Sequence, residues 1–220
     1  ENIRIEKYLS LLENFPEFSI KNVMDSEYST KEIELKKAIA QNILESFLSL
    51  RDGIKLIKDV DLRIKKYDEF LERIDKFIKI NTDSQNNEKL SRLKKEVIRE
   101  RLECCKESID HAIEEIDRES LSRNNEKVIS IVNEIFKKFT DEEIGEETHL
   151  YLKIKLAEAN FYLKNYKESL KISMENMKIN ANNTKKIPSY IIAISSCLCL
   201  GDYAKAHYFA EEIKTFYPVS

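Results

Sequence analysis

Three stretches of this chain, SRNNEKVISIVNEIFKKF (122–139), YLKNYKESLKISMENMKI (162–179) and CLGDYAKAHYFAEEIKTF (199–216), each set a polar turn ahead of an amphipathic helix. Aligned on Asn125, Asn165 and Asp202, they recur at spacings of 40 and 37 residues, room for a helix, a turn and a second helix. One such pair cannot bury its apolar face alone, so a recurrence of this length predicts pairs stacked on their neighbours. The composition agrees. With 3 Gly and 3 Pro among 220 residues, and 35% of them charged, the chain has little material for the turns of a β fold and suits long helices.

The rest of the chain also reads as helix. Ile5, Leu9 and Leu12 share a face within residues 3–15, before Pro16 interrupts. Ser29 and Glu32 have capping-box spacing, followed by Ile33, Leu35, Ala38, Ile39, Ile43, Phe47 and Leu50 at helical intervals, with Gly53 placed to end or kink that helix. A third helix is expected from Asp59 to about Ile80, with Leu62, Ile64, Phe70, Ile74 and Phe77 apolar, then a polar loop over NTDSQNN (81–87). A long helix follows, whose stripe of Leu90, Leu93, Val97, Cys105, Ile109, Ala112 and Ile116 is broken at Arg101. That gap favours packing against neighbouring helices over a two-stranded coiled coil. The expected architecture is all-α: an N-terminal helical bundle over 1–85, a connecting helix over 86–122, and stacked helix-turn-helix repeats, an α-solenoid, over 123–220.

Charge and cysteines exclude several classes. The net charge of −3 arises from 37 basic and 40 acidic residues well mixed along the chain, so no broad positive field draws it to nucleic acid. Locally, residues 100–149 carry −8 and residues 150–186 carry +5. The acidic run DEEIGEE (141–147) is expected to be a solvated loop. No apolar stretch approaches the ~18 residues of a membrane span, and no signal-peptide core is present, so a soluble, cytoplasmic protein without a membrane partner is expected. Cys104 and Cys105 are adjacent and Cys197 and Cys199 are one residue apart, which fits buried free thiols better than a disulfide framework or zinc spacing. His111, His149 and His207 lie far apart, Arg101 and His111 do not meet on one helical face, and there is no phosphate loop, nucleophile elbow or HExxH pattern. Neither catalysis, a metal nor a cofactor is expected.

The residues about the last two turns resemble tetratricopeptide repeats, helix-turn-helix modules with fixed small and aromatic positions. Gly201, Asp202, Tyr203, Ala206 and Pro218 match the family's turn, first aromatic of the second helix, small crossing residue and terminal proline. The preceding unit keeps Leu156, Ala157, Asn165 and Tyr166, with Ser169 at the crossing position and Ala181 where proline is usual. The resemblance implies that Tyr203 packs into the core of its pair, that Ala206 lets two helices approach, and that a partner peptide or helix lies along a groove lined by the first helix of each pair. On that pattern the groove residues are Tyr151, Ile154, Glu158, Phe161 and Tyr162 in one unit and Ile191, Ser195 and Leu198 in the next. Phe161 and Tyr162 also suit core filling, as aromatics at helical spacing often do. Chaperone-binding members carry Lys, Asn and Arg where this chain has Ile154, Glu158, Ile191 and Ser195, so a carboxylate clamp is not expected.

The function expected is therefore a non-enzymatic interaction module, an adaptor, scaffold or co-chaperone-like protein binding a protein or peptide. The +5 segment suggests a partner with acidic flanks. The alternative is the ligand- or peptide-sensing part of a bacterial regulator, since the chain opens at Glu1 without an initiator Met and an effector domain, the one route to nucleic acid, is then expected upstream. Repeat arrays need a polar terminal helix, and the chain stops two residues after Pro218. Its last apolar face is expected to be covered by further sequence, by the N-terminal bundle or by a second copy in a homo-oligomer.

Overall fold

The computed structural model describes residues 26–80, 84–179 and 182–216. Every element of regular structure among them is an α-helix. The helix expected over 3–15, together with Pro16, Ala181 and Pro218, lies outside the described residues. The chain divides into two compact units, 1–105 and 106–220, and the boundary falls inside its longest helix.

In the N-terminal unit, α1 (Ser26–Lys55) and α2 (Val60–Ile80) are followed by the first part of α3 (Ser84–Leu121). Helix α1 is already formed at Ser26, so the backbone of Ser29 is interior to it and not at its start. It ends two residues after Gly53, and Asp59 Oδ1 then accepts a 2.8 Å bond from the Leu62 amide to open α2. Ile43, Phe47, Ile64, Phe70, Ile74 and Phe77 are buried, with the Phe47 ring edge-on to Phe70 and Phe77. Leu62, expected on this face, is exposed. It stands two residues from Ile64, about 200° round the helix, and the buried line runs instead through Tyr67. Helix α3 starts at Ser84, so part of the expected polar loop is helical. Arg101, the break in its apolar stripe, has a partner: its Nε donates to Asp68 Oδ1 at 2.5 Å. Lys94 reaches Asp75, seven residues along each helix in opposite directions, which makes α2 and α3 antiparallel.

The C-terminal unit takes the end of α3 and adds α4 (Asn125–Lys138), the single turn α5 (Asp141–Ile144), α6 (Glu146–Tyr162), α7 (Tyr166–Met177), α8 (Asn183–Leu200) and α9 (Tyr203–Lys214). Helices α6 to α9 pack successively on one another, α4 packs on α6, and α6 also touches α8. Three helix pairs turn in the same way. Arg123, Lys164 and Gly201 are left-handed at φ 58°, 65° and 77°. In each turn the next residue's amide bonds back five residues, Asn124 to Glu119, Asn165 to Asn160 and Asp202 to Cys197, all at 2.9 Å. This is the Schellman closure that satisfies carbonyls at a helix end. The equivalent residues are thus Asn124, Asn165 and Asp202, which shifts the first pair by one position from the alignment on Asn125.

Four residues beyond each of them lies a buried position, Val128, Ser169 or Ala206, where the second helix meets its neighbours. Ala206 joins a core of Tyr190, Ala193, Cys197 and Phe209. Tyr203 does not. As the first residue of α9 it is 70% exposed, because the buried line of that helix runs through Ala206 and Phe209. The acidic run, expected as a loop, is mostly helical. Thr140 and Glu143 form a reciprocal capping box that turns the acidic run into α5 and the start of α6, and Pro188 sits inside α8. The cysteines are free, and Cys199, expected buried, is exposed.

Candidate interaction site

Helix α6 sets Tyr151, Lys155, Glu158 and Tyr162 on one face by their spacing of four, three and four residues. At the far end of this line Tyr151 donates its hydroxyl proton to Asp117 Oδ1 of α3 at 2.5 Å. Lys155 Nζ lies 2.9 Å from the same oxygen and 5.5 Å from the Tyr151 ring centre. Burial raises the pKa of Asp117, but the bonds from Tyr151 and Lys155 outweigh it and hold the carboxyl below its ordinary value. Burial first, then the bond to Asp117, pushes the Tyr151 hydroxyl up. Tyr151 is thereby committed to a contact between α3 and α6.

Beyond this pair the surface opens into a cleft of ≈ 520 Å³. Lys155, Glu158, Ala159 and Tyr162 form its α6 wall, and Ser120, Leu121, Arg123 and Asn125 form the other. Tyr162 is 62% and Leu121 87% exposed, so two large apolar side chains face solvent at one opening. Of the eight expected groove residues, the cleft contains Glu158 and Tyr162. Phe161 is half-buried and packs within its own pair, its ring 5.5 Å from that of Tyr166 and 5.8 Å from that of Tyr162. Ile154 is half-buried. Ile191 and Leu198 are exposed seven residues apart on α8, with half-buried Ser195 between them.

Leu121 was not legible as a site residue. It is the last residue of α3, next to a polar turn, and nothing in its spacing distinguishes it from a core position. The lysines of the +5 segment also behave differently from free charges. Lys153 lies 3.5 Å from Glu175, Lys171 3.2 Å from Glu168 and Lys185 2.5 Å from Glu147, while Lys186 donates to the Met177 carbonyl. Of these partners Glu147 lies outside the counted segment, as does the Asp117 that holds Lys155, so the local sum overstates the field. His149 faces Asp141 at 3.4 Å and the Phe136 ring, whereas His111 and His207 are exposed. Among the described residues no group of three or more His, Cys, Asp or Glu side chains is placed to hold a metal ion, and no helix is long and apolar enough to cross a membrane.

The chain matches no protein-family model, no curated protein and no solved structure.

Proposed function

We propose that this chain is a non-enzymatic binding module that takes a peptide or helix of another protein against the first helices of its stacked pairs. The observation that carries this reading is the cleft between α3 and α6, where Leu121 and Tyr162 are exposed at one opening while the pairs behind them are closed by buried side chains. The repeated left-handed turn and buried crossing position support the tetratricopeptide-like reading, because they make the first helices neighbours. Burying two such side chains contributes about 1.5–3 kcal/mol each. That is a substantial share of the ~8 kcal/mol of a micromolar complex.

The test is selection of peptides from a displayed random library on the full chain, with counter-selection on a Leu121→Ser/Tyr162→Ala double variant of unchanged helicity and melting. The reading expects peptides that the wild type retains and the variant releases, with amide shifts centred on residues 120–125 and 155–162. Peptides held equally by both proteins, or a library that yields none, would overturn it. A loss seen only in Ile191→Ala would move the site to α8.

A further inference from the structure

We infer that the cleft anchors an arginine of an amphipathic peptide segment, with an acidic residue of the same segment meeting Arg123; this rests on the binding-module reading above. Lys155 is held by Asp117 at 2.9 Å. Glu158 is half-buried and its carboxylate has no hydrogen bond or ion pair among the described residues. The Arg123 guanidinium, on the exposed left-handed turn, has none either. The cleft therefore presents one unanswered carboxylate inside and one unanswered cation at its turn.

The neighbours of Glu158 select the occupant. Tyr162 follows it at i+4, so the carboxylate and the exposed ring lie side by side on α6. A guanidinium seated on that ring gains the attraction of its face and can direct its planar fork of donors at Glu158. Its methylene stem needs an apolar wall, which Leu121 and Ala159 provide. An aliphatic anchor would cover Glu158 without giving it a donor, and burial of an unanswered carboxylate is costly. A carboxylate anchor would meet Glu158 as a like charge. Because the cleft's lysine is neutralised by Asp117, the acidic-flanked partner suggested by the +5 segment narrows to a single acidic residue opposite Arg123.

The test uses four fluorescein-labelled amphipathic peptides of about four helical turns, identical except for Arg, Lys, Leu or Glu at the central anchor. Each is titrated into the full chain by anisotropy, with amide shifts followed at Leu121 and Tyr162. The Arg peptide is expected to bind at least about tenfold tighter than the Glu peptide and several-fold tighter than the Leu peptide. Glu158→Gln should weaken the Arg peptide about tenfold and should not weaken the Leu peptide, which no longer covers a charge, with circular dichroism and melting as in the wild type. Arg123→Gln should weaken only peptides that carry the acidic residue. Peptides that shift Leu121 and Tyr162 with no preference among anchors, or with Glu tightest, would overturn the arginine assignment and leave the binding module standing. Absence of any shift at these residues with all four peptides would remove the cleft as a docking site and the assignment with it.

Discussion

Glu100 of α3 gathers polar contacts from α1 and α2. It receives Arg51 through Nε at 3.0 Å and also through Nη2, Lys55 at 3.0 Å, and the buried Tyr67 hydroxyl at 3.2 Å. Burial raises its pKa, but the bonds from Arg51 and Lys55 prevail and hold it below the usual carboxylate range. A carboxylate depressed in the folded state stabilises fully above its unfolded value and loses that contribution as pH falls through ~4 and below. Glu100→Gln should cost roughly 1–3 kcal/mol at pH 7, since it leaves the part-buried Arg51 with only the more exposed Glu96, at 2.9 Å, as a charge partner. It should also flatten the acid limb of stability; urea midpoints at pH 7 and pH 3 check both, and an unchanged acid slope would contradict the assignment. Two serines of α7 offer a contrast. Ser169 donates to the Ala157 carbonyl at 2.8 Å and accepts from Ser196 at 3.2 Å, whereas the buried Ser173 hydroxyl has no partner among the described residues. Ser169→Ala should therefore destabilise by about 1 kcal/mol and Ser173→Ala should be neutral or stabilising. Equal losses from the two variants would mean that these hydroxyls do not differ as described. None of this was legible beforehand, because Glu100, Arg51 and Tyr67 stand on different helices and sequence spacing speaks only to neighbours on one.

At the scale of elements, the chain wrote its helices and turns more openly than its surfaces. Apolar periodicity marked α2, α3 and the pairs beyond them, and the polar turns appeared where they were expected. The one-residue slip at Asn125 arose because the two asparagines of the first turn are alike in composition and differ only in the bonds of their backbones. Those bonds make a direct prediction. Lys164 holds φ 65° with a side chain that disfavours it, while Gly201 holds φ 77° without that cost. Lys164→Gly should stabilise the C-terminal unit by about 0.5–1 kcal/mol, and Gly201→Ala should destabilise it by about 1 kcal/mol. The space around Gly201 is open to a Cβ, so the second effect is one of backbone conformation and not of collision. Thermal melts of the two variants should move in opposite directions, and movement in the same direction would show that the turns are not equivalent. Tyr203 illustrates the limit of family resemblance at this scale. Its identity matched an aromatic core position, yet the side of α9 that is buried follows from the spacing of Ala206 and Phe209, which places Tyr203 outside.

For the molecule as a whole, the boundary at Cys105 was hidden because the apolar line of α3 runs on through it, from Leu90 to Ile116, without a turn signal. What changes is the material of the core. The N-terminal unit is filled by rings, Phe47, Phe70 and Phe77, whereas the C-terminal unit crosses its helices on small residues such as Ser169, Ser196 and Ala206. Small crossings allow close approach, and they make each junction depend on its own two faces. On the reading of these pairs as a stacked array, stability is a sum of nearest-neighbour terms, and opening begins at an end. Helix α6 is packed by α4, α7 and α8, while α9 packs on α8. Native-state hydrogen exchange should therefore show amides of α9 opening at lower free energy than those of α6 and α7. Ala206 stands at the last junction, 4% exposed within the core of Tyr190, Ala193, Cys197 and Phe209. Ala206→Leu should overpack it by about 1–3 kcal/mol and lower protection in α8 and α9 first, with α6 and the end of α3 still closed around Asp117, Tyr151 and Lys155. Because the cleft is built from α3, the turn after it and α6, peptide binding there should survive the substitution while the terminal pair frays. Simultaneous loss of protection from α6 to α9, with loss of binding, would show a single cooperative block in place of stacked pairs.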